Sequence, residues 1–536
     1  MTRRVLPHLG DWAAMRAGFS WDIPAAYNIA ERCCDSWAAR QPDRVAIVDL
    51  SGGARAEWTY GQLKRASDGL AASLRARGVR QGDRVAVLLP QSPEVLITHL
   101  AAHKLGAIIL PLFTLFGADA LAYRLADSGA AAVVTDAANL DKLMALRPEL
   151  PSLSEVYCTD AAAEPVRAFW DEIEAAQGLT PARTGAEDPA CLIYTSGTTG
   201  DPKGVLHAQR FLIGHLPAIE ALYGGFAGPG AVGWTPADWA WIGGLMDLAM
   251  PCLYYGVPLV SHRMRKFDPE AAYDLMRREA VSAAFLPPTA LKLMRQAPAP
   301  KGLALEAVFS GGESLGADLL GWGTEVLGAP INEGYGQTEC NLVLATSAGS
   351  MPVRPGSMGQ AVPGHDVAVI DPAGQELPAG ELGEIAVRKG TPVMFQRYWN
   401  KPEKTAEKFV GDWMRTGDLG RRDADGYFWY ESRDDDVITS AGYRIGPTEI
   451  ENCLVGHPDI VNAAVVGVPD PARTEAVKAY VVLREGADWE GLPAELVERV
   501  RARVSPHMAP RLVERIDALP MTATGKVMRR QLREQS

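Results

Sequence analysis

The chain has 536 residues, 47% hydrophobic and 22% charged, with 53 Lys and Arg against 65 Asp and Glu for a net charge of −12. That length exceeds what one hydrophobic core supports and predicts several lobes, while the near-average composition excludes long disorder. The acidic balance offers no general attraction to nucleic acid or anionic membranes, which leaves small molecules as the expected partners.

At the N-terminus, "MTRRVLPHLGDWAAMRAGF" has arginines but no continuous apolar stretch behind them, so no signal peptide is expected. The first 190 or so residues alternate strand-like runs, such as "RVAVLLP" (84–90) and "AAVVTD" (131–136), with amphipathic helical stretches such as "YGQLKRASDGLAASLRARG" (60–78). This alternation predicts parallel βαβ layers. Within it, "LGAIILPLFTLFGA" (105–118) is too short for a membrane span and carries a proline. From 204 to about 350, "SAAFLPP" and "LEAVFSGG" alternate again with helical "PEAAYDLMRREA", a second α/β lobe like the first. Between 352 and 432, frequent Gly and Pro with short β-branched runs predict a small β-rich subdomain. It ends in the hairpin "RRDADGYFWYES", with Asp425 and Gly426 at the turn. Beyond "SRDDD" (432–436) the pattern turns mixed, with helices near 447–456 and 492–504 and strands at 462–468 and 478–483.

The expected fold class is therefore multi-lobe α/β. Residues 1–433 form a large N-terminal domain, with lobes at about 1–190 and 191–350 and a β-rich subdomain at about 351–433; residues 434–536 form a small α+β domain. Seven scattered cysteines without a C-x-x-C pair read as reduced thiols of a cytoplasmic protein.

One stretch speaks of chemistry directly. In "YTSGTTGDPKG" (194–204), Gly197, Gly200 and Gly204 let the backbone approach a ligand, Thr195, Ser196, Thr198 and Thr199 supply hydroxyls, and Lys203 supplies charge. Together they suit phosphate oxygens. The pattern departs from G-x-x-x-x-G-K-[ST], because glycine follows Lys203, and this disfavours a P-loop NTPase. A Ser/Thr/Gly surface linker is the bland alternative.

This stretch resembles the signature of the adenylate-forming superfamily of acyl-CoA synthetases, luciferases and peptide-synthetase adenylation domains, and the resemblance extends over nearly the whole chain. It implies a loop that holds ATP phosphates while a carboxylate attacks the α-phosphate to give an acyl-adenylate and pyrophosphate. Further matches follow in the family's order. "SGGES" (310–314) places Gly312, Glu313 and Ser314 beside adenine. "EGYGQTE" (333–339) does the same for Glu333, Gly334, Tyr335, Gly336 and Gln337, with Tyr335 stacking on the base, Thr338 near the α-phosphate and Glu339 holding Mg2+. Asp418 of "TGD" falls where the family binds ribose hydroxyls, and Arg433 where it binds ribose or phosphate. Standing alone, Glu339 also reads as a surface charge and Asp418 as a turn-former.

The same resemblance makes Asp435 the hinge of a mobile C-terminal domain, although Ser432 stands where the family commonly has glycine. "AGYRIG" matches the acyl-CoA synthetase version and implies that Ala441, Gly442, Tyr443 and Arg444 line a CoA tunnel; Arg473 and Arg501 are either CoA-phosphate ligands or surface arginines. Trp239, Trp241, Gly243, Gly244, Gly311 and Gly336 are candidates for the acyl pocket, where glycine at 336 is read as leaving room and both tryptophans read equally as core.

In "TATGK", Lys526 matches the lysine that the family inserts between carboxylate and α-phosphate, so Lys526, Thr195 and Glu339 are the catalytic candidates. The tail reads otherwise as a frayed end, with Arg529 and Arg530 as solvated charges. The implied activity is that of an ATP-dependent, AMP-forming acid:CoA ligase, resembling the medium-chain acyl-CoA synthetases, with Mg2+, ATP and CoA. The acid is expected to be medium-length, branched or cyclic; short-chain or aromatic acids are the alternative. Rival readings are an enzyme loading a carrier protein, a luciferase-like monooxygenase and a non-catalytic nucleotide-binding protein. A monomer or homodimer is expected, and Lys526, flanked by glycine, is a candidate for a lysine acetyltransferase.

Overall fold

Short β-branched runs separated by amphipathic helices fold as parallel sheets covered by helices. The computed structural model describes the chain apart from residues 1–3, 8–9, 161–162, 177, 196–201, 225, 227, 229, 313–314, 434–435, 441–442, 471–473, 505, 507, 523–525 and 536, and apart from the side chains of 439, 443, 444 and 449. Among the described residues, Arg84–Leu88 lies parallel between Ile108–Pro111 and Ala132–Thr135. Ile108–Pro111 is buried throughout, so the apolar run at 105–118 serves as a central strand. Helix Tyr60–Ala76 begins at a capping box, in which Thr59 accepts from Gln62 N and the Gln62 side chain accepts from Thr59 N. Its Leu63, Leu70 and Leu74 are fully buried and join one core with Leu96 and Leu100 of helix Pro93–Leu105.

Among the described residues four sheets result, and the two large ones interleave along the chain. The eight-stranded sheet takes Pro189–Thr195, Lys203–Ala208 and the late strand Arg397–Tyr398, whereas the nine-stranded sheet takes the early strands Val45–Asp49 and Ala56–Thr59. A division into lobes at residue 190 therefore does not follow the sheets. Hydrophobic alternation marks a strand as buried but carries no information about which sheet receives it.

The third sheet holds the predicted hairpin, with Trp413–Arg422 antiparallel to Phe428–Arg433 and Gly426 at φ +87° in the turn. The fourth draws all its strands from residues 438–515, around the long pair Ile460–Asp470 and Thr474–Leu483. The seven cysteines are free, and among the described residues no helix is long and apolar enough to cross a membrane.

Candidate active site

Parallel strands in an α/β sheet present their carboxyl ends to one edge, where loops collect ligands. Ala307–Gly311 and Ile331–Gln337 run side by side, with Ser310 opposite Glu333 and Gly311 opposite Gly334. Their ends release the "GG" and "GYGQTE" segments into a cavity of about 1590 Å³. Gly312 has φ +102°, a left-handed conformation that favours glycine, so the chain turns there without a side chain filling the opening. From the eight-stranded sheet comes the hairpin of Pro189–Thr195 and Lys203–Ala208, whose open end pairs Thr195 with Lys203. The third sheet supplies Asp418 and Arg433 as register partners. Thr195, Lys203, Glu339, Asp418, Arg433 and Lys526 all line this one cavity.

Polar side chains hold each other in place there. Tyr335 donates its hydroxyl to Asp418 Oδ2 at 2.6 Å, Arg433 Nη1 lies 3.2 Å from Asp418 Oδ1, and Gln337 Nε2 donates to Thr416 O at 3.0 Å. Asp418 is thus fixed on both oxygens, at 7% exposure. Glu339, equally buried, accepts from the Tyr398 hydroxyl, and the Lys203 amine sits 5.0 Å from the Tyr398 ring centre. Burial alone would push the Glu339 carboxyl up, but Lys408, the Tyr398 hydrogen bond and Lys203 outweigh it and hold the group below the usual range. Lys203 is lowered by burial, with Glu339 opposing. Burial raises Glu333 to about 7 against one hydrogen bond from Leu315 N, and its Oε2 has no hydrogen-bond partner among the described residues. The site therefore sets a charged carboxylate near one that titrates close to neutrality.

Residues 34–399 match the AMP-binding enzyme family and residues 449–526 match the AMP-binding enzyme C-terminal domain. The chain is 34% identical over 532 residues to the acetyl-coenzyme A synthetase of Bacillus subtilis, a match covering 95% of this chain and 90% of the relative. The chain belongs to the AMP-binding enzymes, in their acyl-CoA synthetase family. It is also 33% identical over 537 residues to a mitochondrial acyl-coenzyme A synthetase of Rattus norvegicus, covering 96% of this chain and 91% of that one. Among solved structures it resembles an anthranilate CoA ligase in complex with anthranoyl-AMP at a TM-score of 0.88 and 27% identity, covering 96% of this chain and 98% of that one. This acyl-CoA synthetase is an ATP-dependent acid:CoA ligase.

The candidate residues of the ligase divide sharply. Gly312 and the whole of Glu333–Glu339, the candidates for the nucleotide side, line the cavity. Ser196, Gly197, Thr198, Thr199, Gly200, Glu313, Ser314, Asp435, Ala441, Gly442 and Arg473 lie outside the described residues. Tyr443 and Arg444 belong by their backbones to strand Tyr443–Ile445. Arg501 stands on an exposed helix face, 2.7 Å from Glu498, and does not line the cavity.

Among the acyl candidates, Trp241 lines the cavity, with its ring 5.4 Å from that of Phe285. Trp239 does not: it is 1% exposed and packed in the main core. Nor do the glycines supply empty space. A Cβ on Gly336 would lie 2.4 Å from Leu342 N, on Gly311 2.7 Å from Gly334 O, and on Gly244 2.4 Å from Asp238 O. These positions are glycine because backbones approach closely there. At Gly243 the Cβ would meet the rings of Trp241 and Phe285 at 3.1 Å.

Other site residues carry no signal in the sequence. Tyr398 and Lys408 meet Glu339 only through the fold. Arg124, 6% exposed, lines the cavity with its guanidinium 4.1 Å from the Phe116 ring, and its Nε has no hydrogen-bond partner among the described residues. On a helix, such an arginine is indistinguishable from a surface one.

Proposed function

We propose that the ligase activates a medium-chain, branched or cyclic carboxylic acid as its acyl-adenylate and passes the acyl group to CoA. The observation that supports this most is the convergence of Thr195, Lys203, Glu339, Asp418 and Lys526 on one cavity from three sheets and the C-terminal segment. In the first half-reaction the acid's carboxylate oxygen attacks the α-phosphorus of ATP, and the bond to pyrophosphate breaks. Lys526 supplies positive charge where two anions must meet; Thr195 and Lys203 flank the loop that holds the leaving phosphates. A preorganised donor of this kind contributes about 3–4 kcal/mol. Asp418, fixed by Tyr335 and Arg433, accepts from ribose hydroxyls.

Mg2+ fits this donor set. Glu339 is a hard oxygen ligand held in its charged form, and no cluster of three or more metal-ligating side chains occurs among the described residues. That suits an ion that arrives with phosphate and water and takes one or two protein carboxylates. Bound there, Mg2+ would neutralise charge on the pyrophosphate.

In the second half-reaction the CoA thiolate attacks the adenylate's carbonyl carbon and AMP departs, which the resemblance links to rotation of residues 434–536 about Asp435 and to a turn at 441–444. Trp241 on the cavity wall, backed by the buried Phe285 ring at 5.4 Å with Phe309 stacked 4.9 Å from it, supports an aromatic acid as the second reading. A pyrophosphate-release screen of C2–C12 linear, branched, alicyclic and aromatic acids, with and without CoA, decides between them. The proposal expects the highest kcat/KM with a medium-length aliphatic or alicyclic acid and CoA-dependent turnover; a preference for acetate or benzoate, or trapping by a carrier protein instead of CoA, would contradict it.

A further inference from the structure

The segment bearing Lys526 is tied down by charges remote from the lysine. Residues 520–522 and 526–528 pair with each other: Thr522 N donates to Lys526 O at 2.8 Å, Lys526 N to Thr522 Oγ1 at 3.1 Å, and Met528 N to Pro520 O at 2.8 Å. Residues 526–528 run straight into helix Arg529–Glu534, whose Leu532 is fully buried with Tyr480, Val466 and Leu519. Helix Arg529–Glu534 is therefore docked, not frayed.

Arg529, expected to be a solvated charge, is the centre of this docking. Its Nη2 lies 2.7 Å from Glu451 Oε2 and 2.9 Å from Oε1, its Nε 3.2 Å from Oε1, and its Nη1 3.3 Å from Asp436 Oδ2. Arg533, one turn later, donates to Asp436 Oδ1 at 2.8 Å, and Glu451 Oε1 also accepts from Val465 N at 2.8 Å. Arg530 pairs instead with Glu534 at the surface. The side chains of Arg529, Glu451 and Asp436 are only 19%, 12% and 15% exposed. A fork-shaped pair in that setting is geometrically specific and weakly screened, unlike an exposed one. Asp436 immediately follows the pair 434–435 that contains the hinge candidate.

We propose that Arg529 is a positioning residue for Lys526: the cluster of Arg529, Glu451, Asp436 and Arg533 fastens the segment from Lys526 to Arg533 to helix Pro447–Val455 and to the chain just past the hinge. All four residues lie after position 434, so the cluster travels with the C-terminal domain and delivers Lys526 as a preset part of it. A loose tail would lose conformational freedom at every entry into the cleft, and a preset one does not. The proposal rests on the reading of Lys526 as the adenylation lysine.

The test compares Arg529→Ala, Arg529→Lys, Glu451→Gln and Lys526→Ala in three measurements: single-turnover pyrophosphate release, acyl transfer to CoA from supplied acyl-adenylate, and amide hydrogen exchange. Arg529→Ala should slow pyrophosphate release about tenfold or more, in the range that small misplacements of a reacting group produce. It should leave acyl transfer within about twofold. Exchange at 521–528 should accelerate while Ile460–Asp470 keeps its protection. Arg529→Lys, which keeps the charge but not the fork, should fall between, and Glu451→Gln should reproduce the pattern; these two carry the comparison if Arg529→Ala does not fold. Unchanged pyrophosphate release in the Arg529 and Glu451 variants, or equal loss in both half-reactions, overturns the proposal. Normal adenylation by Lys526→Ala would instead refute the reading of the lysine itself.

Discussion

The Glu339 carboxyl is held below its usual range although burial alone would push it up, because Lys408, the Tyr398 hydroxyl and Lys203 surround it. A hydrogen bond to a charged group contributes about 1.5–3 kcal/mol, so Tyr398→Phe should cost about tenfold or more in kcat/KM for ATP. The sign on pH follows from the depressed value. Removing the donor lets the Glu339 carboxyl rise, so the acid limb of the pH–rate profile should move to higher pH; an unmoved limb would contradict the role given to Tyr398. Glu333 works in the opposite direction, since burial raises it to about 7. As pH rises through that value, Oε2 changes from a possible O–H donor to an acceptor suited to the amino group of adenine. KM for ATP should then fall with rising pH in the wild type more steeply than in Glu333→Gln, measured side by side because ATP itself titrates. Parallel profiles would remove Glu333 from the nucleotide site. Tyr398 could not be found from sequence, because it meets Glu339 across 59 residues with no spacing rule to join them.

At the level of strands and turns, the glycines show what a sequence does and does not disclose. "SGG" and "GYG" announce chain segments that come close to something, and the fold shows what: backbone at Gly311 and Gly336, and the side chains of Phe309 and Leu342 at Gly334. Which way a missing Cβ would point is a property of the strand's pleat and of the neighbour it pairs with, neither of which is written in the motif. The difference is testable. If Gly336 left room for substrate, Gly336→Ala would shorten the preferred acid and leave stability alone. With Leu342 N only 2.4 Å from the new carbon, the substitution should instead destabilise the protein by about 1–3 kcal/mol, read by denaturant or thermal unfolding. A stable variant with altered chain-length preference would contradict the close-packing account. Trp241, the acyl candidate whose side chain does reach the cavity, should control length: Trp241→Ala should favour longer acids, each added methylene gaining roughly 0.8 kcal/mol. An unchanged preference series would place the acyl pocket elsewhere.

Across the whole molecule, the family and the α/β class were legible, because the motifs demand particular residue types in consecutive loops, and Thr195, Lys203, Glu339, Asp418 and Arg433 from those motifs share one cavity. The routing of strands between sheets was not: the pair Val45–Asp49 and Ala56–Thr59 joins a sheet otherwise built from residues 233–361, and Arg397–Tyr398 joins one otherwise built from residues 84–208. Arg529 was equally hidden, since only the fold separates it from its exposed neighbour Arg530. On the function proposed above, the C-terminal segment contributes one charge, that of Lys526, to one half-reaction. Lys526→Ala, followed by rapid quench, tests that claim most directly. Pyrophosphate release from ATP and acid should be abolished, while acyl transfer to CoA from supplied acyl-adenylate proceeds at close to the wild-type rate; equal loss in both half-reactions, or undiminished pyrophosphate release, would contradict it.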